Sequence, residues 1–334
     1  MEILRQVHAA NLAKWAKDRP EVLVLSGDLT GSTEADLFAA AYPDRFFNLG
    51  MTEQNMMSMA GGLAREGFRP FVHTFAVFIY RRALDQLAMS VAYPNLPVRL
   101  FGFLPGIVTP GGATHQAIDD VAVMRALPNM TVIECGDATD VESVLDVADA
   151  VPGPVYVRLV RGAIPRLFPA EEGMQLGHAR ELGQGEDVLW LTSGIATEES
   201  LRAADVVRGA GVSLAHMHVS TLKPFDDEAV LAAIGRAKHG VITMENHTVI
   251  GGLGSAVAEM MATHGIGRQL VRLGLQDTFA HGGSKSYLMR EYGFDALALV
   301  ETTERLLGRN LGIAPQDLSE EPATLDAHAK AEGL

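Results

Sequence analysis

Short, mostly apolar runs recur along this chain and alternate with longer segments of helical periodicity. In the first half these runs lie at residues 22–25, 71–72, 98–101, 131–133 and 155–157. Between them, apolar residues return every three or four positions, as in residues 78–91 and 140–151. An amphipathic opening helix is predicted from the spacing of Ile3, Val7, Ala10, Leu12 and Trp15. This alternation predicts an α/β fold, with a largely parallel sheet covered by helices on both faces.

The alternation is interrupted once, and the interruption divides the chain. Over residues 163–186 the periodicity fails and Pro, Gly and Glu accumulate, which is typical of a linker. New strand runs follow at residues 188–191, 212–215, 241–244 and 270–273. A length of 334 residues also suggests two domains. We therefore predict two doubly wound domains at residues 1–162 and 187–311, a linker at 163–186, and a Pro-, Glu- and Ala-rich tail at 312–334.

The composition argues against several classes of partner. A formal net charge of −14 argues against nucleic acid or an anionic membrane surface. No apolar run approaches ~18 residues, and the N-terminus lacks the apolar core of a signal peptide. Cys135 is the lone cysteine, so an intramolecular disulfide cannot form. These features lead us to expect a soluble protein of the reducing cytoplasm.

One carboxylate stands at a position where a fold of this kind presents it to a ligand. Residues 45–49 read as a short buried strand, and residues 56–64 have the spacing of a helix. Glu53 therefore lies in the first helical turn, where free backbone N–H groups and the helix dipole favour a carboxylate. A simpler interpretation is that Thr52 caps the helix and Glu53 is an ordinary first-turn residue.

A second glycine-rich segment, GGLGS at residues 251–255, lies between a predicted strand and a helix. Its position suggests a dinucleotide-binding loop, but its spacing is not G-x-G-x-x-G. We interpret it as a tight turn that packs the helix against the strand.

Six short motifs follow one another along the first half of the chain. They are GDLTGS at residues 27–32, FNLGMTEQ at 47–54, TFAVF at 74–78, RALDQ at 82–86, GATHQ at 112–116 and RLVRG at 158–162. Their order and spacing resemble the pyrimidine-binding half of the transketolase family. The resemblance spans residues 5–307. It implies a thiamine diphosphate pyrimidine-binding domain followed by a transketolase C-terminal domain.

The resemblance implies that thiamine diphosphate is the cofactor. This cofactor must lose a proton from its thiazolium carbon. In the family, a glutamate hydrogen-bonded to the aminopyrimidine stabilises the tautomer that accepts the proton. Glu53 matches that glutamate. His115 matches a histidine that contacts the substrate near the reacting carbon, so Glu53 and His115 are the catalytic candidates.

Three further residues match positions around the cofactor. Phe75 and Phe78 match aromatic residues that pack against the aminopyrimidine and exclude water from it. Asp28 matches an acid that helps to organise the cofactor site. Without the resemblance, the two aromatics are also interpretable as core residues and Asp28 as a helix N-cap.

The substrate's terminal phosphate would be bound by three polar residues. Arg5, Ser32 and Arg161 match the family's phosphate-binding positions, where Arg provides a planar fork and Ser a neutral donor. Two positions depart from the pattern, since Phe103 replaces a phosphate-contacting histidine and Gly111 replaces an acid. Both departures lie in the acceptor channel and put an ordinary pentose-phosphate specificity in doubt.

A missing motif is as informative as those present. The family holds the diphosphate and its Mg²⁺ with a Gly-Asp-Gly segment followed, roughly 25–30 residues on, by an Asn. Neither residues 27–29 nor residues 136–138 complete this pattern. The resemblance therefore implies the C-terminal subunit of a split transketolase, which would hold no metal itself. Its partner would be an N-terminal diphosphate-binding subunit, in an α2β2 hetero-oligomer acting on sugar phosphates.

Three functions remain open on the sequence alone. The preferred one is ketol transfer from an anionic ketose to an aldose by a two-component transketolase. The second is a β-subunit of a 2-oxoacid dehydrogenase or a relative of deoxyxylulose-phosphate synthase, although residues 114–116 and Ser32 favour ketose chemistry. The third is a non-catalytic scaffold subunit, which would have no need of Glu53 and His115 together.

Overall fold

The computed structural model describes residues 2–318, and its elements alternate as the sequence predicts. The strands are β1 (Ile3–Arg5), β2 (Val22–Ser26), β3 (Phe46–Asn48), β4 (Arg69–Phe75), β5 (Arg99–Phe103), β6 (Thr131–Glu134), β7 (Val155–Leu159), β8 (Ala163–Pro165), β9 (Arg180–Gly183), β10 (Val188–Thr192), β11 (Leu214–His218), β12 (Thr221–Lys223), β13 (Gly240–Thr248) and β14 (Leu270–Leu275). The α-helices are α1 (Val7–Trp15), α2 (Asp36–Ala41), α3 (Glu53–Arg65), α4 (Ala76–Arg81), α5 (Leu84–Gln86), α6 (Asp120–Ala126), α7 (Ala138–Ala150), α8 (Ile195–Gly209), α9 (Glu228–Arg236), α10 (Leu253–Thr263), α11 (Lys285–Glu291) and α12 (Ala296–Leu307). The predicted α/β fold class is confirmed.

The first sheet has seven strands in the order β12-β6-β7-β5-β4-β2-β3. Strands β2 to β7 are parallel. Every residue of β2, β5, β6 and β7 is buried, as expected for strands covered on both faces. Strand β12 comes from the second half of the chain and pairs antiparallel with β6, so the two halves share this sheet.

The second sheet has five strands in the order β14-β13-β10-β11-β9. Its strands are parallel except for the antiparallel edge strand β9. The segment predicted as a linker therefore contains regular structure, since β9 joins this sheet and β8 pairs with β1. The domain limits drawn from the sequence stay a prediction.

Three local predictions need correction. The opening helix begins only at Val7, because Ile3 lies in β1 and pairs with β8. The helix predicted over residues 78–91 is broken after Arg81, where Ala83 leaves the helical region at φ −133° and ψ 25°, and a π-helical segment occupies Leu87–Ala92. The strand at residues 45–49 is only half buried, because β3 forms the outer edge of its sheet.

The glycine-rich turn at residues 251–255 packs against the side-chain carboxylate of Glu245, a residue of β13. Glu245 accepts hydrogen bonds from the backbone N–H groups of Leu253 (2.7 Å) and Gly254 (2.9 Å), at the start of α10. Burial raises the pKa of Glu245 to about 7. Because this side chain fills the place that a bound phosphate would take, the interpretation as a tight packing turn is confirmed.

Gly252→Ala should destabilise this turn. A Cβ at Gly252 would lie 1.9 Å from the Glu245 Oε2 atom, so the substitution should lower the free energy of unfolding by about 1–3 kcal/mol, measured by urea denaturation. The matched control is Gly62→Ala in α3, where a Cβ meets nothing within 4 Å and helix propensity favours Ala. Equal effects of the two substitutions would contradict the packing role.

A buried guanidinium joins the two halves of the chain. Arg158 on β7 is fully buried and pairs with Asp120 (2.8 Å) and Glu134 (2.5 Å). It also donates to the backbone carbonyl of Asn246 on β13 (3.0 Å). Burial alone would lower the pKa of Arg158, but the two carboxylates raise it above its ordinary value. The charge therefore stays fixed at the junction of the two sheets.

Candidate active site

Glu53 is a buried carboxylate at the first residue of α3. Its side chain is 2% exposed, and its Oε1 atom accepts a hydrogen bond from Arg82 Nη1 at 2.7 Å. Thr52 makes no side-chain cap and instead donates its hydroxyl to the Leu49 carbonyl. Thr52 is thus the N-cap residue, as the simpler interpretation predicts, but its side chain does not cap the helix. A buried carboxylate is costly unless it has a partner, so the position of Glu53 favours a chemical role.

An aromatic wall lies beside this carboxylate. Phe75 ends β4 and Phe78 lies in α4, with their ring centroids 5.7 Å apart and 27° between the planes. His115 meets the Phe78 ring edge-on at 5.6 Å. Arg82 lies over Phe78, with its guanidinium carbon 3.6 Å from the ring centroid. The structure thus brings Glu53, Phe78 and His115 together through a continuous set of contacts.

His115 is oriented by its neighbour in the GATHQ motif. Its Nδ1 atom lies 2.9 Å from the Thr114 hydroxyl, and the side chain is half-buried. Gly111 packs against it, since a Cβ there would meet the His115 Cβ at 3.1 Å. An acid at residue 111 would crowd the imidazole, so the departure from the family pattern gives His115 its room.

Asp28 lies in the turn that follows β2. It adopts a left-handed conformation (φ 65°), and its Oδ1 atom accepts a hydrogen bond from the Asn48 side chain at 3.0 Å. Asn48 also accepts from the backbone N–H groups of Asp28 and Gly50. The N-cap interpretation of Asp28 is wrong, because the next helix begins at Asp36. The Asn48 amide ties the Asp28 turn to the segment leading into Glu53.

The three predicted anion-binding residues line one cleft. Arg5, Ser32 and Arg161 border a space of about 460 Å³ that Asp28 also lines. Arg5 is exposed, Ser32 is half-buried, and Arg161 is 9% exposed at the end of the run that follows β7. The guanidinium groups lie on neighbouring segments, since Arg5 pairs with Ala163, two residues after Arg161. Two such groups in one cleft are suited to bind a phosphate or another oxyanion.

Phe103 is not among the residues that line this cleft, and its side chain lies fully buried at the end of β5. Its ring packs edge-on against His8 at 5.4 Å. His8 and His73 face each other, with their Nε2 atoms 2.9 Å apart. Burial lowers the pKa of His73 to about 4 and that of His8 well below its ordinary value. Both imidazoles are therefore neutral at neutral pH. No sequence pattern predicts this pair, because the two histidines are 65 positions apart.

The ring end of thiamine diphosphate fits these residues better than its diphosphate end. A planar heterocycle with ring nitrogens requires a flat apolar wall and a carboxylate, and Phe78 and Glu53 provide both. Within residues 2–318, no group of three or more His, Cys, Asp or Glu side chains is placed to hold a metal ion.

No helix within residues 2–318 is long and apolar enough to cross a membrane.

Comparison with known proteins identifies the family. Residues 4–166 match the transketolase pyrimidine-binding domain, and residues 177–299 match the transketolase C-terminal domain. The 6-deoxy-6-sulfo-D-fructose transketolase subunit SqwH of a Clostridium species is 38% identical over 90% of this chain and 95% of its own length. The 1-deoxy-D-xylulose-5-phosphate synthase of Symbiobacterium thermophilum is 33% identical over 93% of this chain but 47% of its own length.

A solved structure agrees with these matches. The split gene transketolase described as an inactive beta4 tetramer superposes with a TM-score of 0.82 at 36% identity, covering 91% of this chain and 97% of that one. The resemblance found in the sequence is thereby confirmed. The chain belongs to the transketolase family, in which it carries the pyrimidine-binding domain followed by the C-terminal domain.

Proposed function

We propose that this chain is the catalytic C-terminal subunit of a two-component transketolase that depends on thiamine diphosphate. It would transfer a two-carbon ketol unit from an anionic ketose to an aldose. The observation that carries the proposal is the buried Glu53 carboxylate, which is linked through Arg82 to the Phe78 and His115 rings. A scaffold that had lost its chemistry would have no reason to keep a carboxylate buried at this cost.

Each residue of the site has a separate task. When bound, the cofactor supplies the nucleophilic carbon that carries the ketol unit. Glu53 would hold a ring nitrogen of the aminopyrimidine by a hydrogen bond and so control the protonation of that ring. Phe75 and Phe78 orient the ring and keep water away from it. His115, oriented by Thr114, would contact the substrate near the reacting carbon.

A partner subunit completes the enzyme. The described residues offer no metal cluster, so the diphosphate and Mg²⁺ would be held mainly by an N-terminal subunit. One similar structure is described as an inactive tetramer of β chains, which supports the idea that such a chain needs a second component. We propose an α2β2 assembly in the cytoplasm.

The substrate is proposed to end in an oxyanion. Arg5, Ser32 and Arg161 line a single cleft, which supports binding of a terminal phosphate. The Clostridium relative is named for a sulfonated fructose, so a sulfonate is a second candidate for the same cleft.

A synthase activity is the second candidate function, because one relative is a 1-deoxy-D-xylulose-5-phosphate synthase. The two activities differ in their donor. Assays of the complex with pyruvate and with a ketose phosphate, each with glyceraldehyde 3-phosphate as acceptor, distinguish them by carbon dioxide release from pyruvate alone.

The purified single chain should show no ketol transfer and weak cofactor binding, because residues 2–318 offer no cluster of side chains to hold the Mg²⁺ of the diphosphate. Turnover is measured with and without the co-purified partner subunit. Ketol transfer by the chain alone, at a rate comparable to that of the complex, would contradict the two-component proposal.

Glu53→Gln in the complex should slow proton exchange at the cofactor's reactive carbon by ~10²–10⁴-fold, because an amide cannot exchange the proton. The exchange of deuterium into that carbon is followed by NMR. Glu66→Gln, the same substitution at the exposed far end of α3, is the matched control and should leave exchange unchanged. An undiminished rate in the Glu53 variant would return this residue to a purely structural role.

Ser32→Ala and Arg161→Ala should raise KM for an anionic ketose about 10- to 100-fold, since a charge-assisted hydrogen bond contributes about 1.5–3 kcal/mol. The uncharged ketose erythrulose makes no such contact, and its KM should stay nearly constant. Arg5→Ala should raise the same KM, and because the Arg5 side chain is exposed, this substitution does not threaten folding. If all donors weaken equally, these residues are structural and the substrate need not be anionic.

A further inference from the structure

Arg82 makes two contacts at once inside the candidate site. Its Nη1 atom lies 2.7 Å from Glu53 Oε1, and its guanidinium carbon lies 3.6 Å from the centroid of the Phe78 ring. The guanidinium therefore lies over the aromatic face of Phe78 while one of its N–H groups donates to the Glu53 carboxylate. Arg82 is the first residue of the RALDQ motif.

These two contacts are the ones that the proposed function assigns to the aminopyrimidine. That ring would also lie on Phe78 and place a nitrogen against Glu53. A guanidinium is planar and delocalised and stacks readily on aromatic rings, so it can imitate a heterocycle of this kind. Two planar groups cannot occupy the same face of Phe78 together.

The physical reason for this contact lies in the burial of Glu53. A carboxylate that is 2% exposed is costly without a partner, and Arg82 supplies one. Arg82 itself is 42% exposed and lies in the turn between α4 and α5, so its side chain can swing out into water without disturbing a helix. The pair is therefore fixed on one side and free to open on the other.

We propose that Arg82 is a placeholder, which occupies the ring slot of the cofactor-free protein and is displaced when the cofactor binds. The inference rests on the proposed function of Glu53 and Phe78. Side-chain rotation at an exposed residue takes picoseconds to nanoseconds, so displacement causes no kinetic lag. It acts on the equilibrium, because the cofactor must replace contacts that already exist.

The test uses the complex of the full chain with its diphosphate-binding partner, stripped of cofactor and titrated with thiamine diphosphate and Mg²⁺ by calorimetry. Arg82→Ala should lower Kd about tenfold, the combined worth of an exposed ion pair and a cation–π contact. Arg82→Lys keeps the charge but cannot place a planar group on Phe78. The Kd of this variant should therefore lie between that of the unaltered complex and that of the Arg82→Ala complex.

Arg19→Ala is the matched control. Arg19 also lies over an aromatic ring, 4.0 Å from the centroid of Trp15, and pairs with a carboxylate, Asp146, at 3.3 Å. Its substitution removes the same kinds of contact away from the candidate site and should leave Kd unchanged within about twofold, since such exposed pairs contribute little by themselves.

Two results would overturn the placeholder role. An Arg82→Ala complex with the same Kd as the Arg19→Ala complex would show that Arg82 does not compete with the cofactor. A weaker Kd, together with slower proton exchange at the reactive carbon, would show that Arg82 holds Glu53 in the cofactor-bound state. Failure of the unaltered complex to bind thiamine diphosphate would instead overturn the proposed function itself, and is seen without any variant.

Discussion

The arrangement of the two sheets depends on the ion pairs and the hydrogen bond of the buried Arg158 guanidinium. This guanidinium is fully buried where the two sheets meet and binds Asp120, Glu134 and the Asn246 carbonyl. Removing one partner of such a buried ion pair leaves an uncompensated charge and costs about 3–5 kcal/mol. Arg161, which lines the cleft shared with Arg5 and Ser32, follows on the same segment three residues later. The buried charge network therefore helps to position the segment that carries Arg161 into this cleft.

The candidate site collects at one edge of the first sheet because parallel strands end together. Asp28 follows β2, Asn48 ends β3, Phe75 ends β4 and Arg161 follows β7. In open α/β sheets, ligands bind outside the carboxyl ends of the strands. Each residue is far from the others in sequence, and the parallel register alone brings their side chains to the same side of the molecule.

The sequence predicted the elements well and the contacts between them less well. Glu53 could be placed at a helix start because apolar spacing before and after it has different periods. Arg82 could not be placed, because its contact depends on a break after α4 that apolar periodicity does not reveal. The His8–His73 pair was equally hidden, since a helix and a strand meet there through tertiary packing. The apolar periodicity of a segment indicates which face of a helix or strand is buried. The direction of an individual side chain depends on the residues that pack against it in the folded protein.

Strand β12 has a consequence for how this chain can be divided. It belongs to the second half but closes the edge of the first sheet through pairing with β6, and Lys223, its last residue, donates to the carbonyl of Arg125. A fragment cut at the linker would leave β6 with a row of unpaired N–H and C=O groups, which invites aggregation. The first sheet is thus completed by a strand from the second half of the chain, and division between the two halves would expose β6 as a new sheet edge.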